Sequence, residues 1–362
     1  MYKSWQVPDA LHRSFPFWAW NGKLNKEELI RQVRLMKEAG VGGFFIHSRE
    51  GLETEYLGRE WMECVKAVVN EAKKQGMYVW LYDEDRFPSG TAGGKVPICG
   101  DAFRCKGLTL QIQEVESYPD LFDQEIFGKD YGSDDHIGIQ AVYGAVVGDK
   151  DKVLSIRRLA MKQHEAFLEG EVLLVVQLEV SASSEWFNFQ SPPDNLNPEC
   201  VERFIMETHE KYKAVIGDEF GKTVLGIFTD EPSLHDRHAF FGEKKGWIPW
   251  TYGLGTYFKE LNGYDFLDFL PYMYFRGEYS KRTRRDYWHM ITLRFGETFF
   301  KRIGDWCKDN NIMFTGHFLQ EDKIGLCTRV NGAAMPDYQY QQVPGIDMLC
   351  EQTNEYMTVK QC

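Results

Sequence analysis

Gly40 and Gly76 stand 36 residues apart, each closing an amphipathic run and directly preceding a continuous apolar one. That is the length of one strand-plus-helix unit, and it constrains the fold more than any other feature of the chain. Residues 15–20 form the first apolar run, which stops at Asn21-Gly22. Asn25 then supplies an N-cap, with Glu28 three positions on, and Leu29, Val33, Met36 and Ala39 recur at helical spacing before Gly40. A second apolar run, 41–46, ends in His47-Ser48-Arg49. Trp61, Val65, Val68 and Ala72 mark the helix that Gly76 stops, and a third run, 77–82, ends in Asp83-Glu84-Asp85. Strands apolar throughout, alternating with helices apolar on one side, predict a parallel sheet covered by helices.

From about residue 96 to 190 the pattern changes to β-rich segments at 107–115, 137–147 and 171–180, which read as an insertion after strand three. Asn197-Pro198 opens a helix that buries Val201, Phe204, Ile205 and Tyr212. Strand four is expected at 224–228, then an amphipathic helix through Ile291, Phe299, Ile303 and Trp306, strand five at 312–316 and strand six at 346–349. The expectation is an α/β fold: a (β/α)8 TIM barrel, C-terminally incomplete, with about six strands present. Residues 1–95 would hold strands one to three, 96–190 the β-rich insertion, and 191–362 strands four to six.

The formal net charge of -12, with no basic stripe, argues against a nucleic-acid partner. No stretch is long and apolar enough for a bilayer, and the N-terminus lacks a signal-peptide core, so no membrane and a cytoplasmic location are expected. The eight cysteines show no Cys-x-x-Cys pair and no zinc spacing, which reads as reduced core thiols. Aromatic residues make up 15% of the chain, a surplus that suits stacking on sugar rings as well as core packing.

Barrel active sites lie at the C-terminal ends of the strands. Here those ends carry Asn21, His47 with Arg49, Asp83 with Asp85, Asp230 with Glu231, His317 with Glu321, and Asp347. Phe228-Thr229-Asp230-Glu231-Pro232 holds the most chemistry. A glutamate directly after a buried strand is half-desolvated, which raises its pKa toward that of a general acid. Breaking a glycosidic bond needs such an acid and a second carboxylate; the bland alternative is that Asp230 and Glu231 cap a following helix. Asp83-Glu84-Asp85-Arg86 suits a sugar clamp, a metal site or a self-neutralising ion cluster. Ser89-Gly90-Thr91-Ala92-Gly93-Gly94 lacks the lysine of a phosphate loop and reads as a rim turn. His235-Asp236-Arg237-His238 has no further zinc ligands at fixed spacing. Trp18 and Trp20 are candidate stacking platforms, one of them expected to face the helices.

With these segments placed, the chain resembles barrel glycosidases related to the α-L-rhamnosidases of glycoside hydrolase family 106. The resemblance rests on Phe15-Pro16-Phe17-Trp18-Ala19-Trp20-Asn21, Gly43-Phe44-Phe45-Ile46-His47-Ser48-Arg49, Trp80-Leu81-Tyr82-Asp83-Glu84-Asp85, Pro88-Ser89-Gly90, Thr229-Asp230-Glu231-Pro232, Thr315-Gly316-His317 and Pro344-Gly345-Ile346-Asp347. It implies a (β/α)8 catalytic domain normally followed by β-sandwich domains, a glutamate at the end of strand four as acid, and a second carboxylate on a later strand. Glu231 is thus the expected acid. Glu321 is the best placed partner in this chain, with Glu351 behind it. Trp20, Asn21, His47, Arg49, Asp83, Asp85, Asp230, His317 and Asp347 are the expected carbohydrate contacts. No cofactor is required, although a divalent cation such as calcium is compatible with so many carboxylates. The leading reading is hydrolysis of a terminal sugar. The alternatives are a metal-dependent lyase or isomerase of a sugar acid, using Asp83, Asp85 and His317, and a non-catalytic carbohydrate-binding protein.

Overall fold

The computed structural model describes residues 8–115, 136–160, 165–234, 246–348 and 356–362. The chain begins with β1 (Phe17–Gly22), α1 (Lys26–Glu38), β2 (Gly43–Leu52), α2 (Arg59–Gln75) and β3 (Tyr78–Tyr82). The Asn25 side chain accepts the Glu28 amide at 2.8 Å and starts α1. Glu28 turns outward to Arg31 and Gln32 instead of back to the cap, so the expected box is one-sided. α2 ends where Gly76 takes a left-handed φ of 61°, and it buries Trp61, Val65, Val68 and Ala72.

Next come β4 (Lys106–Gln113), β5 (Gly138–Gly148), β6 (Lys152–Arg158), β7 (Val172–Val180), α3 (Pro198–Glu207) and α4 (His209–Ile216), followed by β8 (Val224–Asp230), β9 (Ile248–Trp250) and α5 (Leu254–Asn262). The chain continues through α6 (Ser280–Phe295), a π turn (Gly296–Phe300), α7 (Lys301–Asp309), β10 (Met313–His317), α8 (Ile324–Asn331) and β11 (Val343–Pro344). Among the described residues no helix is long and apolar enough to cross a membrane.

Six strands form one parallel sheet in the order β1-β2-β3-β8-β10-β11, which is their order along the chain. The sheet is strongly curled. Strands three places apart in a flat sheet lie about 14 Å from each other, yet the rings of Phe17 on β1 and Phe228 on β8 are 5.0 Å apart. Phe45 and Tyr82 from the strands between pack on the same Phe228 ring. Close approach inside the curl excludes a side chain at Gly226, where a Cβ would come within 2.3 Å of the Trp80 ring. The opposite face of β1 turns to the helices. Among the described residues the sheet does not close: β1 and β11 remain its edges.

The β-rich region is a five-stranded antiparallel sheet of order β6-β5-β7-β4-β9. Its edge strand β9 follows β8 in sequence, so the sheet draws on chain outside the 96–190 segment. Leu108, Tyr143, Leu174 and Val176 join the same hydrophobic core as the parallel sheet's residues. A buried ion pair, Lys106 Nζ to Asp194 Oδ2 at 2.6 Å, also ties β4 to the chain leading into α3.

Strand six differs from expectation. The ladder with β10 is made by Val343 and Pro344, opposite Thr315 and Gly316, and not by 346–349. A Cβ at Gly345 would sit 2.7 Å from the Gly316 carbonyl, so the chain crosses the end of β10 tightly and then leaves the ladder. Leu349 falls outside the described residues.

Candidate active site

The curled sheet opens at its C-terminal end into a cleft of about 450 Å³. Its polar lining is His47 and Arg49 from β2, Asp230 and Glu231 from β8 and its turn, His317 from β10 and Asp347 after β11. Phe17 and Ala19 from β1, with Phe87 from the loop after β3, supply an apolar side. Phe228 lies beneath, its ring 5.4 Å from that of His317.

Two carboxyls of the cleft are pushed in opposite directions. Burial works to raise Asp230, but His317 Nε2 at 3.1 Å and the Tyr82 hydroxyl at 2.6 Å donate to it, and its pKa falls below the usual range. Burial also raises Glu231. There the His317 contact is longer, 3.7 Å, and the neighbouring charges of Asp230 and Asp347 oppose ionisation, so its pKa rises. Glu231 holds a left-handed φ of 46°, a strained conformation for a side chain of this size.

The two histidines separate in the same way. Burial would discharge His317, yet hydrogen bonds to Asp230 and Glu231 outweigh it and raise its pKa to about 10, making it an imidazolium with both nitrogens protonated. Burial lowers His47 to about 4, with Arg49 adding repulsion against the pull of Asp230. Its neutral ring stands edge-on to Tyr82, 4.0 Å between centroids.

The backbone of Asp230 is clasped by Ser89, whose Oγ accepts the Asp230 amide at 2.8 Å and whose own amide donates to the Asp230 carbonyl at 2.7 Å. Ser89 Oγ in turn donates to Asp83 Oδ1 at 2.6 Å. Asp83 is therefore not a sugar contact. It is fully buried behind Ser89, and burial holds its pKa well above the usual range. Glu84 is also fully buried. It accepts five backbone amides, those of Asp85, Gly90, Thr91, Ala92 and Gly93, together with the Thr91 hydroxyl. Burial pushes its pKa up to about 7, and those donors oppose a larger rise. The glycine-rich loop is thus a nest for an internal carboxylate, a role missed in the sequence. An acid cluster five residues before a glycine-rich turn was the signal available.

Other expected contacts also lie elsewhere. Asp85 accepts Ser48 Oγ at 2.8 Å and Asn188 Nδ2 at 3.1 Å, and it is not part of the cleft lining. Trp20 is buried between Trp18 and Trp61 on the helix side of β1. Trp18 packs on Phe44 and donates to Gln32, so both tryptophans face the helices and the alternate residues Phe17 and Ala19 face the cleft. Asn21 is exposed at the end of β1 outside the lining. Glu321 is buried, with the Tyr338 hydroxyl on Oε2 at 2.8 Å and the Asp347 amide on Oε1 at 2.7 Å. Both its oxygens serve the fold, so it is not presented as a partner for Glu231. Glu351 and residues 235–238 lie outside the described residues.

Asp230, Glu231 and His317 each offer one ligand atom, all within 4.8 Å of one another, an arrangement that can hold a cation. Asp83 and Asp85 do not join it.

A curled parallel sheet with carboxyls converging at its C-terminal rim is the architecture that the comparisons address. No family model matches the chain, and no curated protein matches it. Among solved structures it overlaps a rhamnosidase from Novosphingobium sp. PP1Y with a TM-score of 0.55 and 12% identity, over 94% of this chain and 48% of that one. An inactive double mutant of MUTB overlaps at a TM-score of 0.35 and 10% identity, over 92% of this chain and 49% of its own, too little to carry an argument. The fold is therefore similar to that of the rhamnosidase, and the chain spans about half of that protein's length.

Proposed function

We propose that the chain is the catalytic region of a glycoside hydrolase that removes a terminal sugar from an oligosaccharide or glycoside. The observation that carries this reading is the pair Asp230 and Glu231, adjacent in one open cleft with pKa values displaced in opposite directions about a shared imidazolium. Glu231, held toward its protonated form, gives its proton to the departing glycosidic oxygen as the C–O bond breaks. Asp230 stays ionised and fixes His317. Asp347 is the remaining carboxyl of the described lining and takes the second role: it attacks the anomeric carbon or activates the water that does, so that water's oxygen ends on the sugar and its proton restores the acid. His47 and Arg49 hold hydroxyls. Phe17, Ala19 and Phe87 offer an apolar wall that suits the C–H face of a sugar and the methyl group of a 6-deoxy sugar. That wall supports a rhamnosidase-like specificity, as does the resemblance in the strand-end motifs.

The test is a panel of oligosaccharides and aryl glycosides that includes α-L-rhamnosides. Glu231→Gln should reduce turnover of unactivated glycosides by about 10²- to 10⁴-fold, the size of a general-acid contribution, with an unchanged melting temperature. Unchanged turnover removes Glu231 from the role. Affinity for sugar with no turnover by the unaltered chain would instead favour a carbohydrate-binding protein.

One observation favours a second reading. The Asp230, Glu231 and His317 atoms are close enough to bind a divalent cation, as a metal-dependent lyase or isomerase would require. Activity lost on chelation and restored by a divalent ion would select that reading.

A further inference from the structure

The turn after β7 carries an aromatic residue that the fold does not use. Asn188 and Phe189 are consecutive residues at left-handed φ, 54° and 61°. Asparagine tolerates this conformation, whereas phenylalanine does so only under constraint. The strain does not bring Phe189 into the core: its side chain is 71% exposed. Strain that holds an apolar ring in water is an observation about function more than about stability.

The same turn is stitched to the cleft. Trp186 Nε1 donates to the Phe87 carbonyl at 2.7 Å, and its ring meets the Phe87 ring edge-on at 5.0 Å. Asn188 Nδ2 donates to Asp85, and the Ser184–Gln190 pairing closes the turn. Phe87 lines the cleft itself. An aromatic path thus leads from the cleft wall through Phe87 to Trp186 and on to the turn that bears Phe189.

We infer that the turn 184–190 is a second sugar-binding subsite, in which Phe189 stacks against the unit next to the one held in the cleft and Trp186 anchors the turn to Phe87. This deepens the hydrolase reading and rests on it: the substrate class becomes an oligosaccharide whose leaving group is itself a sugar ring. The antiparallel sheet then contributes to specificity, because it carries this turn to the cleft's rim.

The experiment uses the 362-residue chain with Glu231→Gln, which binds without turnover, on an array of oligosaccharides and the methyl glycosides of their terminal sugars. Oligosaccharides should be retained about tenfold better than the methyl glycoside of the same sugar, the scale of one aromatic contact. Adding Phe189→Ala should remove that preference, and Phe189→Tyr should keep it. Phe189 is exposed, so loss of folding does not confound the result; a melting curve of Trp186→Ala accompanies the same measurement at the half-buried position. A preference that survives Phe189→Ala and Trp186→Ala overturns the subsite and leaves the cleft's reading standing. No retention of any sugar by the Glu231→Gln chain, with no turnover by the unaltered one, overturns both.

Discussion

The chain emerging from β3 and the chain emerging from β8 start alike and end differently. Both strands deliver consecutive acids to the same rim of adjacent strands, Asp83-Glu84-Asp85 on one side and Asp230-Glu231 on the other. After β3 the fold encloses the acids and supplies donors: five amides and a hydroxyl for Glu84, Ser89 for one oxygen of the fully buried Asp83, Ser48 and Asn188 for Asp85. After β8 Glu231 meets a single imidazolium at 3.7 Å and otherwise faces the cleft. An acid saturated by its own backbone is architecture, and an acid left short of donors is available for chemistry. Position at a strand end does not separate the two; enclosure and the supply of donors do.

The largest effect should come from exchanging the two roles by mutation. Glu231→Gln is expected to cost about 10³-fold in turnover and almost nothing in stability. Glu84→Gln places an amide NH2 against the amides that now donate to the carboxylate, and should destabilise by roughly 3 kcal/mol or more in urea titration. Stability lost at Glu231 and activity alone lost at Glu84 would reverse the comparison.

The histidines give the next effect. His47 and His209 have folded pKa values lowered by burial, to about 4 and about 3, against 6.5 when unfolded. Between those values the unfolded chain binds more protons, so stability is full above pH 6.5 and falls as pH drops toward 4 and 3. His317 has the opposite sign. Its stabilisation is complete below 6.5 and is lost as pH rises through about 10. Urea midpoints measured from pH 3 to 11 should fall at both ends; His317→Asn should lessen the part of the acid-side loss that comes from Asp230, whose carboxyl His317 holds low, and flatten the alkaline side. Its slope there is at most about 1.4 kcal/mol per pH unit for one proton.

Much of this frame was legible from local signals. Asn25 and Gly76 announced the ends of α1 and α2 because capping is decided within a few residues. His47, Arg49, Asp230, Glu231, His317 and Asp347 could be gathered because strand ends in a parallel sheet share one rim. The face of β1 was harder: alternation divides Phe17 and Ala19 from Trp18 and Trp20, and hydrophobicity alone does not tell which pair looks inward. Donor supply was invisible for a different reason. The amides on Glu84 come from residues up to nine positions away, and Tyr338 reaches Glu321 from seventeen, through turns whose closure no periodicity encodes.

Glu321 therefore offers the finest test of the distinction. The sequence makes it the natural partner of Glu231, whereas its oxygens accept the Tyr338 hydroxyl and the Asp347 amide. If donor supply decides, Glu321 is a positioning residue that sets where Asp347 stands at the cleft. Glu321→Gln keeps one acceptor and loses the other, so it should destabilise by about 1–2 kcal/mol. Turnover should fall by less than about tenfold, mainly through KM as Asp347 loosens. Tyr338→Phe removes one of the same bonds from the other end and should give a smaller loss of the same kind. A partner carboxylate would behave otherwise: kcat would drop by about 10²-fold or more at unchanged stability, and Tyr338→Phe would not reproduce it. That outcome would show that a saturated carboxylate can still do chemistry here, and the contrast between the β3 and β8 turns would no longer separate architecture from function.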